Sequence, residues 1–576
     1  MATELISIGI LFLCAIIGGI IATRFKQPAV FGLLVVGAIM GPNFLNLVQD
    51  TNMIHMMADF GAILILFIIG LEFDLSKLMK LGARSILIGF LKFAVVLFFG
   101  YETTLLLGFS TKVALFIGVI LSFSSTVVVT KVLEQKDMIN RKEVPLLIAI
   151  LIIEDIIAVF ALTFFSGIND SGSSIISTFE HIIFSTAILV LVYFIMLKVM
   201  KHFVNAIMKN NGEESVFAFL SLGVGALFSY FAFYLGLTPS AGAFLAGSLI
   251  ASLNNAKEYG KAIHPYSMIF TSIFFISMGT FVDFKVIESN LPLIVTLIIT
   301  VFVSRFIAIG FFTFLLANFK NEQPFFSSIA MVSVGEFSLL VAKESEKFGV
   351  GIDLVTITAS IIFISAVLMS MGLSHSEKIR GALNSRVSLS IRMRLDRISN
   401  YMRKFFDQIE IENYFTKQIK SDSKSIFILS MIGLFSFFIL RRISFIIGLK
   451  FNHWFLYTYY ILAASLLLYL LYLAYRRFAI LHHSLAVILT NVDSSRNLKK
   501  CTRILNNLSI ALVLFISAML FPFAMFAFNL NSWTNVMPFF LVITSFYFAK
   551  NVMLLMDGNS RNEVSLARAV SAAKFF

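Results

Sequence analysis

Cysteine, tryptophan, proline and charge are all scarce in this chain, which holds two Cys, two Trp and nine Pro in 576 residues. Cys14 sits in an apolar run and Cys501 in a basic stretch, so neither a disulfide framework nor a thiolate metal cluster is expected. Charged residues make up 13% of the chain. A soluble domain carries roughly 25%, so a soluble globule is excluded. Acids are the minority sign, 32 Asp and Glu against 45 Lys and Arg, for a net charge of +13. In a soluble protein that excess would point to nucleic acid. Here the bases lie in short loops between apolar runs, which is the positive-inside pattern of a membrane protein. A nucleophile–base set, a metal cluster and a phosphate-binding glycine loop are all lacking. The chain therefore reads as no enzyme and as needing no cofactor, and residues after 375 hold no soluble nucleotide-binding domain.

What the chain has is hydrophobic length. Apolar residues reach 59% and the mean hydropathy is +0.92. A transmembrane helix needs about 20 mostly apolar residues. On that rule thirteen spans are expected up to residue 374, centred near Leu13, Val35, Ile65, Val95, Ser122, Glu154, Leu189, Ala226, Phe244, Phe274, Val301, Val334 and Ile362. The first run, Leu5 to Ala22, follows Glu4 rather than a basic region and ends in Arg24 and Lys26, so it reads as a retained span rather than a signal peptide. Basic residues recur in alternate loops, at Arg24 and Lys26, Lys77 to Arg84, Lys136 to Lys142, Lys198 and Lys201, Lys257 and Lys261, and Lys320. That alternation puts the N-terminus outside and residues 376–424 in the cytoplasm.

The sixth run, LLIAILIIEDIIAVFALTFFS at 146–166, carries Glu154 and Asp155 near its middle. Carboxylates at that depth are costly and are usually paired or face a watery cavity. Adjacent residues on a helix point about 100° apart, so the two acids meet different neighbours. Either both are paired structurally, or one is paired and the other meets an ion.

Two runs are poor simple helices. The fifth has Ser122, Ser124, Ser125 and Thr126 at its centre, and the twelfth has Ser333, Gly335 and Glu336. Small polar residues at matching depths point to broken helices, which expose carbonyls and half-helix ends to ions. Ordinary packing of small residues is the alternative. Arg305 lies deep in the eleventh run and needs a carboxylate, with Glu154, Asp155 and Glu336 as candidates. Lys92 and Lys343 also fall in apolar runs and are read as snorkelling to an end, outside the site.

Three domains are expected: a membrane domain at 1–375, a basic amphipathic linker at 376–424 suited to anionic lipids, and a C-terminal membrane domain at 425–576 with about four more spans. These last are Ile426–Leu449, Trp454–Tyr475, Leu508–Leu530 and Trp533–Met556. The first is the least regular, because Arg441 and Arg442 fall near its outer end, and a basic loop from His482 to Arg503 separates the second and third. Gly18, Gly19, Gly32, Gly37 and Gly41 permit close helix packing, within one chain or between two.

Six ordered segments resemble the monovalent cation/proton antiporters, in the branch of the Kef-type potassium efflux systems and bacterial sodium/proton antiporters. They are FGAILILFIIGLEFDLSKL at 60–78, FSSTVVVTKVLEQ at 123–135, IIEDIIAV at 152–159, GLTPSAGAFLAGSLIAS at 236–252, IFFISMGTFVDF at 273–284 and VGEFSLLVA at 334–342. The resemblance implies an all-α fold of inverted repeats, with a scaffold that forms homodimers and a mobile core containing two crossed, unwound helices. It implies that Asp155 binds a proton or a sodium or potassium ion in competition, helped by Ser124, Ser125 or Thr126. It implies a basic partner at Arg305, here expected to bridge Glu154. Glu336, beside Gly335, either balances the half-helix ends at the crossing or is a packing residue with a hydrogen bond. Glu with Arg departs from the Asp–Lys pair of electrogenic members, and a permanently paired Glu154 makes exchange electroneutral. The implied location is a bacterial inner membrane. A cation channel, a sodium-coupled symporter and a membrane sensor are the competing readings, and residues after 375 lie outside the resemblance.

Overall fold

The computed structural model describes residues 2–25, 29–47, 51–72, 83–167, 175–208, 214–253, 256–317, 319, 322–374, 400, 404–405, 408, 414–450, 453–492, 498–528 and 537–557. Among these the chain is helical, and the only β pairing is an isolated antiparallel bridge between Ser124 and Val334. Hydrocarbon dictates this, because backbone groups there must pair within their own segment.

The helices of the first compact unit run α1 Ala2–Arg24, α2 Ala29–Met40, α3 Thr51–Glu72, α4 Ala83–Leu106, α5 Thr111–Ser122, α6 Thr126–Gln135, α7 Val144–Gly167 and α8 Ile175–Met208. They continue as α9 Glu214–Tyr234, α10 Pro239–Ala251, α11 Ala256–Thr280, α12 Phe284–Ser289, α13 Leu291–Arg305, a π-helical segment Phe306–Phe311, α14 Phe312–Leu316, α15 Gln323–Ala330, α16 Glu336–Glu346 and α17 Leu354–Ser374. Each of the thirteen expected span centres lies on a helix or at a break between two half-helices. The breaks are α5/α6 and α15/α16. Among the described residues seven helices are long and apolar enough to cross a membrane, and further apolar helices are shorter.

Two bundles make up this unit. In one, α2 packs on α1 and α11, α3 on α10 and α11, and α9 on α10. Glycines set its spacing. A Cβ at Gly37 would stand 2.2 Å from the Ile276 carbonyl oxygen, and one at Gly70 would stand 2.2 Å from that of Phe244. The facing helices answer with Gly279 and Gly247, so α2 on α11 and α3 on α10 make the same kind of glycine-to-glycine contact. Gly18 abuts Gly32, and Gly41 abuts Thr280. These glycines therefore serve packing within one chain. The other bundle gathers α4, α5, α7, α13, α16 and α17 around the two breaks.

The second compact unit comprises residues 387–521 and 531–576. Its helices are α18 Tyr414–Lys450, α19 His453–Val492, α20 Leu498–Phe528 and α21 Met537–Asp557, one for each expected C-terminal span. The division within α20 falls at Pro522, which lies inside that helix. Two expectations change. His482 to Val492 continue α19 and Leu498 to Arg503 begin α20, so most of the expected basic loop is helix. Ala486, Ile488, Leu489, Cys501 and Leu505 bury together with Phe405 and Ile419, and this shared core is what prolongs the helices. Asp422, also buried, accepts from Arg477 at 3.0 Å. Of the expected linker, residues 414–424 open α18. Arg380, Arg386, Arg392, Arg394, Arg397 and Arg403 lie outside the described residues, as do the side chains of Arg441 and Arg442.

Candidate functional site

The breaks at α5/α6 and α15/α16 meet each other. Between Ser122 and Thr126, and between Ala330 and Glu336, the backbone is extended or turned, and the two segments cross as an antiparallel pair. Ser125 N–H donates to Ser333 O at 3.1 Å, and Gly335 N–H donates to Phe123 O at 3.1 Å. Gly335 is required by this approach, since a Cβ there would lie 2.5 Å from the Ser124 carbonyl oxygen. Four half-helix ends result. Those of α5 and α15 present carbonyls that lack partners within their own helix, with negative dipole, and those of α6 and α16 present N–H groups with positive dipole.

Side chains answer each end. Arg305 is fully buried and lies on the carbonyl side. Its Nη1 donates to Met331, Val332 and Ser333 O at 2.7, 2.9 and 2.7 Å. Its Nη2 donates to Leu121 and Phe123 O, each at 2.7 Å. One guanidinium thereby ties the C-terminal ends of both broken helices together. On the N–H side, Ser125 caps α6 by accepting from Val128 N–H at 3.2 Å, and donates through the same hydroxyl to Glu336 at 2.9 Å. Glu336 is the first residue of α16, so one carboxylate faces the positive ends of both later half-helices. Ser338 Oγ donates to Ile120 O at 2.6 Å, and Val334 N–H donates to Ser365 Oγ at 3.1 Å.

The two acids of α7 diverge as their helical positions require. Glu154 Oε2 accepts from Ser124 N–H at 2.8 Å, while Oε1 stands 2.8 Å from Lys92 Nζ. Asp155, 7% exposed, accepts from Thr126 Oγ1 at 3.3 Å, at the first residue of α6. The expected bridge from Glu154 to Arg305 is therefore corrected: the ion-pair partner of Glu154 is Lys92. Arg305 reaches five carbonyls instead, because the two Nη groups of its planar fork spread their N–H groups over a fan of oxygens. Lys92 does not snorkel. Its ammonium is fully buried and also donates to Ser122 O at 2.6 Å and Ser124 Oγ at 2.9 Å. The sequence did hold the signal, since Lys92 is the tenth of 24 residues in α4, too deep for its four-carbon stem to escape. Lys343 is the more ordinary case, pairing with exposed Asp59 of α3 at 2.5 Å.

All donors around Asp155 and Glu154 named here are oxygens or protonated nitrogens. The arrangement suits a hard cation or a proton at a carboxylate, on a crossing whose backbone charges are already balanced.

Comparison with known proteins gives the family and the fold. The profile of the family described as "Sodium/hydrogen exchanger, transmembrane" matches residues 9–375. The chain is 28% identical to the iron transporter MagA of Paramagnetospirillum magneticum, over 64% of this chain and 84% of that protein. It is 27% identical to a Na(+)/H(+) antiporter of Enterococcus hirae, over 58% of this chain and 88% of that one. The solved sodium proton antiporter MjNhaP1 of Methanocaldococcus jannaschii superposes with a TM-score of 0.53 at 17% identity, covering 66% of this chain and all of that chain, which shows a shared fold. This polytopic membrane protein belongs to the sodium/hydrogen exchanger family of transporters.

Proposed function

We propose that the protein exchanges a monovalent cation, sodium or potassium, for protons by alternating access, with Asp155 holding a cation or a proton but not both. The observation that carries this is the division of labour on α7. Glu154 is occupied by Lys92 and by Ser124 N–H, while Asp155 sits beside it against the Thr126 hydroxyl at a half-helix N-terminus. A cation and a proton each satisfy a buried carboxylate, and each displaces the other. Ser124, Ser125 and Thr126 supply oxygens within the same break. Lys92 and Arg305 keep fixed partners, so one carboxylate exchanges one charge for another and transport is electroneutral.

The glycine-packed bundle serves as the scaffold, and the bundle with the crossing carries the ion past it. Homodimers form through the scaffold helices. The N-terminus lies outside, residues 376–424 lie in the cytoplasm against anionic lipids, and the membrane is a bacterial inner membrane. Residues 425–576 are a further membrane domain.

The test is proton movement in reconstituted vesicles under an imposed pH gradient, with sodium, potassium and lithium added in turn. One cation should dissipate the gradient, D155N should abolish the effect, and a potential-sensitive dye should stay silent. No cation-dependent flux from folded protein overturns the exchange reading, and a dye response that needs Asp155 overturns electroneutrality.

A further inference from the structure

Lys92 has the surroundings of a bound ion. Its Nζ is ringed by a main-chain carbonyl (Ser122, 2.6 Å), a hydroxyl (Ser124, 2.9 Å) and a carboxylate (Glu154, 2.8 Å). Lys92, Ser122, Ser124 and Glu154 are each at most 1% exposed. Carbonyl, hydroxyl and carboxylate oxygens are also the donor set that a hard monovalent cation takes. The carbonyl belongs to the last residue of α5, where the negative end of a half-helix dipole adds to the attraction. Arg305 completes the same end by a different route, through Leu121 and Phe123.

We infer that the Lys92 ammonium occupies a second monovalent-cation site, lined by Ser122 O, Ser124 Oγ and Glu154, and so acts as a tethered, non-exchanging ion at the crossing. This inference deepens the exchange reading and rests on it for its consequence: the site beside Asp155 holds one mobile cation per cycle because the neighbouring place is filled by the chain itself. Lys92 is a positioning residue in this scheme. It fixes Glu154 and the end of α5 so that Glu154 does not compete for the transported ion. Removing the side chain empties a cage of oxygens with a carboxylate at its wall, and a small free cation refills it.

The experiment compares the full-length parent, K92A and K92R by thermal unfolding in sodium, potassium, methylammonium or choline chloride at constant ionic strength. The same proteins are then assayed for exchange in vesicles. In choline, which is too large for the cage, K92A should melt below the parent. A small cation should raise its Tm by more than it raises the parent's, because a ligand that binds only the folded state stabilises it in proportion to log concentration. K92R keeps a tethered charge and should gain no more than the parent. At low cation K92A should exchange roughly tenfold more slowly or worse, because removing one partner of a buried pair strands the other charge. Its recovery with rising cation should be steeper than the parent's, with a Hill coefficient moving from about one toward two as a second site fills. A K92A protein whose Tm responds to cations no more than the parent's overturns the inference. So does one that cannot be recovered folded in any of these salts. If the parent itself shows no cation-dependent proton flux, the exchange reading fails, and the melting comparison still decides whether the cage binds cations.

Discussion

Glu154 and Asp155 are neighbours in sequence with separate environments, and a substitution at each should report a different property. E154Q leaves the Lys92 ammonium buried against a neutral amide. Breaking one side of a buried pair costs on the order of 3–5 kcal/mol, so its Tm should fall well below the parent's. K92M combined with E154Q removes both charges and should recover part of that loss, which a double-mutant cycle of melting curves would measure. Equal melting of E154Q and parent would refute the ion pair. D155N, by contrast, should melt near the parent, because the amide has the shape of the carboxylate and its oxygen can still accept from the Thr126 hydroxyl at 3.3 Å. Its exchange should be lost. A D155N protein that fails to fold would assign Asp155 to structure instead. The depth of Glu154, Asp155 and Arg305 was readable from the chain here, and that of Lys92 was misread as snorkelling. The pairing was not readable: Arg305 and Lys92 are both deep cations, and only the position of α4 against α5 and α7 puts Lys92 on the carboxylate.

At the scale of elements, the crossing depends on a glycine and a cap. G335A must push a methyl group against the Ser124 carbonyl, which lies 2.5 Å from the ideal Cβ position. The two breaks would have to part, so G335A should lower Tm and reduce exchange together. An unchanged melting curve would show that the segments can separate at little cost. S125A removes the N-cap of α6, worth about 1 kcal/mol by analogy with other caps, and takes a donor from Glu336. The expected outcome is a modest fall in Tm with a larger fall in exchange, read in the same vesicle assay. Both broken helices were legible as runs of Ser, Thr and Gly at matching depth. Their contact was not, because a bridge between Ser124 and Val334 joins residues 210 positions apart, and no local pattern encodes it. The C-terminal helices show the same division. Their apolar cores marked four helices, but His482 to Arg503 read as a loop because the buried contacts of Ala486, Leu489, Cys501 and Leu505 are tertiary.

For the whole membrane domain, the alternating access we propose would have the two bundles move past one another. Lys343 on α16 and Asp59 on α3 form an ion pair across them. Asp59 is 67% exposed and Lys343 18%, so the pair is near water and cheap to break. Cysteines at both positions, in a chain whose Cys14 and Cys501 are replaced, should be bridgeable by a short cleavable thiol reagent. The bridge should arrest exchange and its cleavage should restore it. Full exchange while bridged would show that these faces stay together through the cycle.

The sequence alone determined the membrane class, the helical character of the apolar runs up to residue 374, the two breaks and the acidic pair at 154 and 155. Each is a local property: run length against bilayer thickness, small polar residues against helix propensity, charge against hydrocarbon. Tertiary structure alone decided which cation meets which acid, that Arg305 gathers five carbonyls, and that the glycines of α1 and α2 serve packing within the chain. These depend on helices brought together from distant parts of the sequence, where donor geometry and the cost of leaving a buried charge unpaired select one pairing among several that composition permits.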